Sequence, residues 1–293
     1  MAGGARRRCA AGATGTVTGD AWTRWSSREC RAGGIGPAVL LAGGTGMPPI
    51  AWQVCGLRDA LVNAGYQVIS YSARGVAPSD APAPPYTIGQ MAGDVAGLLD
   101  ALDVRGAALV GYSLGGFTVE SLARTRPELA RSIVLLAGAG PITPLLGAVL
   151  AMESELIATG GHIPGTVAAF QTLMTGLPPR SVRDDEDLVS TWVRMLGMQG
   201  QLWTSKAGEN GQSAASVAWL HDKHRMAALR DITVPALVAS FEHDPLFPPR
   251  TGRIAAEALP NGEFVEIPNA THAGLMPHPD ETIKAIMGFL GRT

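Results

Sequence analysis

The chain has 293 residues, of which 46% are hydrophobic and 16% are charged, and its formal net charge is −2. This composition is typical of one large α/β domain that carries an insertion, and it disfavours extensive disorder. The charge balance excludes a basic surface for nucleic acid. The sequence also lacks the apolar run of about 18 residues that a membrane span requires.

The N-terminal residues and the cysteines indicate the cellular compartment. Residues 1–15 are rich in glycine and alanine, and we expect them to form a flexible tail. The cysteines, Cys9, Cys30 and Cys55, are odd in number and widely spaced, which disfavours a disulfide framework. The arginines of the tail are not followed by the apolar stretch of a secretory signal. We therefore expect a cytoplasmic protein.

The first half of the chain alternates between strand and helix patterns. A turn at Gly19-Asp20 predicts an opening β-hairpin within residues 16–30. Four continuous apolar runs that end in glycine or serine then predict buried strands: PAVLLAG, YQVISYSARG, GAALVGYS and RSIVLLAGAG. The segments between these runs have apolar residues at helical spacing. This alternation predicts parallel strands with helices on both faces of the sheet.

The alternation stops near Gly138 and resumes after about residue 225. Residues 138–225 contain helical segments rich in methionine and leucine, with no convincing strand. Strand, helix, strand and helix then follow to the C-terminus. We therefore predict an α/β core at residues 16–137 and 226–293, with residues 138–225 inserted as a helical cap, or lid.

A candidate nucleophile follows the third buried strand. Ser113 has Gly111 two residues before it and Gly115 two residues after it, and a helix is predicted to begin directly afterwards. In this context Gly-x-Ser-x-Gly forms a nucleophile elbow, because the sharp turn leaves no room for side chains at the glycine positions. The backbone N–H of Leu114 then lies at the helix N-terminus, where it can stabilise an oxyanion.

A serine nucleophile requires a base and an acid, which follow it in chain order. His272 lies in the loop after the last predicted strand and is the candidate base. Asp244 lies in a turn beyond the preceding strand and is the candidate acid, with Glu242 as the alternative. Gly44, in the glycine-rich loop after the first core strand, is the candidate for the second oxyanion donor. Thr45 and Tyr112 flank these groups and are expected to contact substrate.

Several motifs together resemble the α/β-hydrolase superfamily, in particular its capped esterase, haloperoxidase/perhydrolase and C–C hydrolase branch. They are YSARGVAPSDAP, GYSLGG, DPLFPP and THAG. The resemblance covers nearly all of the chain from about Thr16 and is weakest in the cap. It implies a catalytic triad of Ser113, Asp244 and His272, with the amides of Leu114 and Gly44 as the oxyanion hole.

The sequence departs from this family pattern at two positions. Ala42-Gly43 stands where the family usually has His-Gly, so the anchoring of the oxyanion loop differs. Ala77 replaces the second glycine of the Arg-Gly-x-Gly loop. Because the candidate nucleophile is a serine and not an aspartate, epoxide hydrolase and dehalogenase chemistry is disfavoured.

The apolar faces of the cap helices predict a sizeable hydrophobic small-molecule substrate. The residues concerned are Met152, Leu156, Phe170, Met174, Met195, Met198 and Trp203. A set of this kind is also typical of an ordinary core. The sequence has no cluster of metal ligands and no phosphate-binding loop, so we expect no cofactor. It leaves the oligomeric state open, a homodimer included.

Three functions are consistent with these features. The first is a serine hydrolase that cleaves an ester or thioester of a hydrophobic acid through an acyl-enzyme. The second, motivated by Ala42, is C–C bond cleavage, acyl-group elimination or cyclisation at the same residues in natural-product biosynthesis. The third is a ligand receptor on a hydrolase scaffold, which an apparently complete triad disfavours.

Overall fold

The computed structural model describes residues 14–17, 27–33, 35–159, 164–197, 203–277 and 279–293. The predicted tail lies outside the described residues except for residues 14 and 15, which belong to the first strand. The predicted turn at Gly19-Asp20 and the cap residue Met198 also lie outside them.

Eight strands form one sheet. They are β1 (Thr14–Val17), β2 (Ser27–Gly33), β3 (Ala38–Ala42), β4 (Gln67–Tyr71), β5 (Ala107–Tyr112), β6 (Ala130–Leu136), β7 (Ala236–Phe241) and β8 (Gly262–Ile267). Their order across the sheet is β1-β2-β4-β3-β5-β6-β7-β8. The pairs β1–β2 and β2–β4 are antiparallel, and the six strands from β4 to β8 are parallel. The carboxyl end of the central strand β5 therefore lies beside those of β3 and β6, at the edge where parallel sheets bind ligands.

Eleven α-helices are assigned among the described residues. They are α1 (Ala51–Val54), α2 (Leu57–Asn63), α3 (Ile88–Ala101), α4 (Leu114–Thr125), α5 (Pro144–Ala158), α6 (Gly165–Gly176), α7 (Pro179–Asp184), α8 (Glu186–Gly197), α9 (Lys206–Leu220), α10 (Pro249–Ala258) and α11 (Pro279–Leu290). The sequence pattern predicts one helix over residues 51–64, with Gly65 just past its end. The segment instead forms two helices, because Gly56 adopts φ +81° and interrupts the helical hydrogen bonding. No helix in the described part of the chain is long and apolar enough to cross a membrane.

The sheet is buried on both faces because its central strands are apolar at successive positions. Leu40 and Leu109 contribute to a core formed with helices α3, α4 and α10. Val39 and Val110, their neighbours in sequence, contribute to a second core on the opposite face with α1, α2 and α11. Side chains of a strand alternate between faces, so a run of apolar residues supplies both cores. The fold is the doubly wound α/β-hydrolase fold.

Helices α5 to α9 form the insertion between β6 and β7. α6, α7 and α8 pack around a small core of Leu177, Trp192 and Leu196. The two ends of the insertion meet at the buried Arg225, which donates a hydrogen bond to the carbonyl of Gly140. Its Nη1 also lies 3.5 Å from Oε2 of Glu120, a fully buried carboxylate on α4. This polar contact joins the entry and the exit of the cap to the core.

Candidate active site

Ser113 lies on a strained turn between β5 and α4. Its φ of +51° and ψ of −118° fall in a region that non-glycine residues rarely adopt. A Cβ built on Gly111 would lie 2.3 Å from the carbonyl oxygen of Gly115, and one on Gly115 would lie 2.1 Å from that of Ala42. Glycine at both positions therefore permits the turn, which presents the serine hydroxyl at the carboxyl edge of the sheet.

The imidazole of His272 lies beside this hydroxyl. Its Nε2 is 3.2 Å from Oγ of Ser113. The ring stacks between Tyr112 and Phe247, with both centroid distances equal to 5.8 Å. The Tyr112 hydroxyl donates a 2.7 Å hydrogen bond to the carbonyl of His272, and burial together with the Asp244 charge raises the pKa of Tyr112. The phenol therefore stays protonated, and it holds both the ring and the backbone of the base.

Asp244, and not Glu242, faces the imidazole. Its Oδ2 lies 2.8 Å from Nδ1 of His272. Its Oδ1 accepts hydrogen bonds from the backbone N–H groups of Leu246 and Phe247, at 2.8 and 3.0 Å. Glu242 instead accepts a 2.8 Å hydrogen bond from the N–H of Asn269 and is exposed. The buried Asp244 thus has a fixed orientation, which selects the imidazole tautomer with a proton on Nδ1.

The loop after β3 lies against the serine. A Cβ built on Gly44 would lie 3.4 Å from Cβ of Ser113 and 3.1 Å from the Tyr112 ring. Leu114 is the first residue of α4, so its N–H has no partner within the helix. Thr45, the other predicted residue of this loop, is exposed. Gly44 therefore packs against Ser113 and Tyr112, and Leu114 follows Ser113 directly, so both remain candidates for the oxyanion donors.

A cavity of about 810 Å³ lies within the cap, between α6, α8 and the start of α9. Its apolar lining includes Phe170, Leu173, Val193, Leu196 and Trp203. The indole of Trp203 reaches the loop after β3, since a Cβ built on Gly46 would lie 2.8 Å from its Cζ2. Trp203 therefore contacts both the cavity and the loop that carries the candidate oxyanion donor Gly44.

Three methionines that the sequence predicts to line a pocket are not among the residues that line this cavity. Met174 is 54% exposed and Met195 is 38% exposed, and neither lines this cavity. Met152 is half-buried, and its sulfur accepts a 3.4 Å hydrogen bond from the side-chain amide of Gln171. Helical spacing places these residues on apolar faces but does not indicate which face is turned inwards.

Sequence reasoning missed two residues that contact the site. Phe247 stacks on His272, although it lies within the DPLFPP motif that supplied the candidate acid. Gln212, on α9, is fully buried and contacts the loop after β3. A lone glutamine on a helix carries no pattern that would indicate such a contact.

These contacts form a continuous chain from acid to base to hydroxyl. A base that accepts the hydroxyl proton makes such a serine a nucleophile. Among the described residues, no group of three or more histidine, cysteine, aspartate or glutamate side chains is arranged to hold a metal ion.

Comparison with known proteins identifies the family. Residues 37–279 match the family model described as alpha/beta hydrolase fold. The match covers most of the chain, and the chain therefore belongs to the α/β-hydrolase family of enzymes.

Individual relatives cover nearly the same span. BpoC of Mycobacterium tuberculosis, provisionally named a non-heme bromoperoxidase, is 31% identical over 256 residues, which are 87% of this chain and 94% of BpoC. Its crystal structure superposes with a TM-score of 0.80, over 90% of this chain and 95% of that one. Rhodomycin D methylesterase DauP of a Streptomyces species is 31% identical over 89% of this chain and 92% of its own. The enol-lactonase of Burkholderia xenovorans has a TM-score of 0.73 at 26% identity, over 90% and 96% of the two chains.

Proposed function

We propose that this protein is a serine hydrolase that cleaves a carboxylic ester or thioester of a hydrophobic small molecule through an acyl-enzyme on Ser113. The observation that carries the proposal is the unbroken series of contacts from Asp244 through His272 to Ser113, at 2.8 and 3.2 Å. A surface serine needs neither a strained backbone nor a buried acid behind its neighbouring histidine.

The geometry leads to a two-stage reaction. Ser113 Oγ attacks the carbonyl carbon and its proton passes to His272 Nε2, while the amides of Leu114 and Gly44 bind the oxyanion. The bond from the carbonyl carbon to the leaving group breaks, and His272 returns the proton to the departing alkoxide or thiolate. Water then loses a proton to His272 and attacks the acyl-enzyme, which releases the acid and restores the Ser113 hydroxyl. Throughout both stages the Nδ1 proton stays on His272 and is donated in a hydrogen bond to Asp244.

The cavity and the relatives support the proposed substrate class. A cavity of about 810 Å³ with a largely aromatic and aliphatic lining suits a drug-sized apolar molecule. The names of two relatives refer to ester bonds in small molecules, namely a methyl ester and an enol lactone. Together these features favour an ester of a hydrophobic small molecule over a peptide or a polysaccharide.

Covalent labelling tests the proposal. The wild-type protein should react with a fluorophosphonate probe, and peptide mapping should locate the adduct on Ser113. Ser113→Ala should abolish the labelling and leave the melting temperature nearly unchanged. Ser121→Ala is the matched control, since Ser121 is a buried serine on α4, the helix that begins directly after Ser113, and lies eight residues further along the chain. This control should label as the wild type does.

Two results would overturn the proposal. Labelling that persists in Ser113→Ala would show that another residue is the nucleophile. Product analysis would also separate ester hydrolysis from the alternative reactions, because ester hydrolysis releases acid and alcohol in equal amounts. Turnover without a released acid would favour elimination or cyclisation instead, and release of the acid with a carbon-bonded fragment in place of an alcohol would favour C–C bond cleavage.

A further inference from the structure

The oxyanion loop, defined as residues 43–47, contains three glycines and begins after Ala42. Glycine gives a loop many accessible conformations, and alanine provides no polar side chain that could restrain it. An oxyanion donor nevertheless has to hold its direction closely, because a site about 1 Å too loose loses much of its activity. The loop therefore needs an anchor from another part of the structure.

Gln212 provides a hydrogen bond to this loop. Its Oε1 accepts a 3.0 Å hydrogen bond from the N–H of Gly46, and its Nε2 donates a 2.8 Å hydrogen bond to the carbonyl of Arg74. One partner is a donor and the other an acceptor, so a single orientation of the amide satisfies both. The side chain is fully buried. A buried amide with both ends satisfied is firmly held.

The part of α9 that carries Gln212 is itself fixed to the core. The N–H of Thr204 donates a 2.9 Å hydrogen bond to the carbonyl of Gly75, and its hydroxyl donates one of 2.6 Å to that of Ser79. The backbones of Gly208 and Gly75 are in such close contact that a Cβ on Gly208 would lie 2.5 Å from the Gly75 oxygen. Gln212 therefore transmits the position of the core to the oxyanion loop.

We propose that Gln212 is a positioning residue that aims the Gly44 amide at the oxyanion by holding the N–H of Gly46. The inference rests on the proposed function. Gly46 has φ +65° and lies against the Trp203 indole, so the loop is restrained by the hydrogen bond that Gly46 donates to Gln212 and by an aromatic ring. Met47 N–H donates to the carbonyl of Gly44 within the same turn, which relays the restraint to the candidate donor. Gln212 acts through the loop and does not itself touch the reacting atoms.

Kinetics of a small acetyl ester test this role. Gln212→Met keeps the length of the side chain but removes both hydrogen bonds. It should lower kcat by roughly tenfold to a hundredfold, less than the loss of a whole oxyanion donor, and leave KM within about threefold. Gln212→Ala adds no new bulk and gives the same test if the methionine variant does not fold. The rate of fluorophosphonate labelling should fall in parallel with kcat.

Ala215→Gly is the matched control, because it weakens the same helix one turn further on, at a buried alanine whose side chain cannot form a hydrogen bond to the loop. It should lower the melting temperature and leave kcat within about twofold. A Gln212 variant with a lowered melting temperature and an unchanged kcat would overturn the inference. So would a kcat that falls equally in the Ala215→Gly control. If the wild-type protein is not labelled at Ser113, the proposed function is wrong. If it is labelled there and the Gln212 variants keep the wild-type kcat, only this inference is wrong.

Discussion

The substitution Asp244→Asn should lower kcat/KM for a small ester by about 10⁴-fold, or about 5 kcal/mol of transition-state stabilisation. The carboxylate accepts two backbone N–H groups on Oδ1 and the imidazole on Oδ2. An asparagine has one oxygen, and the two fixed backbone donors hold it. Its NH₂ group then faces Nδ1 of His272, which moves the imidazole proton to Nε2. The base can no longer accept a proton from Ser113, although the packing is preserved.

The assay is steady-state hydrolysis of a small acetyl ester at about pH 8, above the ordinary histidine pKa of about 6.5. The matched control is Glu242→Gln, because its amide oxygen can still accept from the N–H of Asn269. The control should retain activity within about threefold, and the melting temperatures of both variants should stay within a few degrees of wild type. A large loss of kcat/KM in Glu242→Gln together with a small loss in Asp244→Asn would refute the assignment of the acid. If neither substitution matters while His272→Ala does, the site works as a dyad.

Two further predictions concern the core and the cap. Burial raises the pKa of Glu120 to about 7 despite Arg225, so the folded protein keeps this proton to a higher pH than the unfolded chain does. The free energy of unfolding should therefore fall between about pH 4.5 and pH 7, by about 3 kcal/mol from this group, and Glu120→Gln should remove that part of the fall in denaturant titrations. Equal pH dependence in the two proteins would contradict this. Leu173→Trp narrows the cap cavity and should lower kcat/KM for long acyl esters more than for acetyl esters. Met174→Trp, at the neighbouring exposed position, is the control and should leave the ratio of these two kcat/KM values unchanged. Identical chain-length profiles would show that the cavity does not hold the substrate.

The sheet could be predicted from the sequence because its strands are buried on both faces. Residues 38–42 are continuously apolar and residues 107–112 nearly so, and Gly43 and Ser113 follow them directly, so both their extent and their place in the fold follow from the sequence pattern. The break at Gly56 could not be predicted, since an isolated glycine within a helical pattern is compatible with a continuous helix. Its positive φ depends on how α1 and α2 pack against the sheet.

The candidate site also contains residues that the sequence predicts and a residue that it does not. Ser113, Asp244 and His272 each follow a strand of the parallel sheet, and the topology brings the carboxyl ends of those strands to one edge. Gln212 contacts Arg74 and Gly46, which precede it in the chain by 138 and 166 positions. No local sequence pattern distinguishes it from a solvated glutamine. Met174 shows the limit of the apolar pattern, because its side chain is 54% exposed and is not among those that line the cavity.

The contacts of the cap also determine which experiments can isolate its role. α9 holds the oxyanion loop through Gln212, and the Thr271 hydroxyl, beside the base, donates a hydrogen bond to the carbonyl of Gly176 at the end of α6. A deletion of residues 138–225 would remove both contacts together with the cavity. It would therefore lower the turnover of every substrate, large or small, and would say nothing about specificity. Single substitutions on the cavity side of α6 leave both anchors in place, and only such changes separate the selection of a substrate from the geometry that converts it.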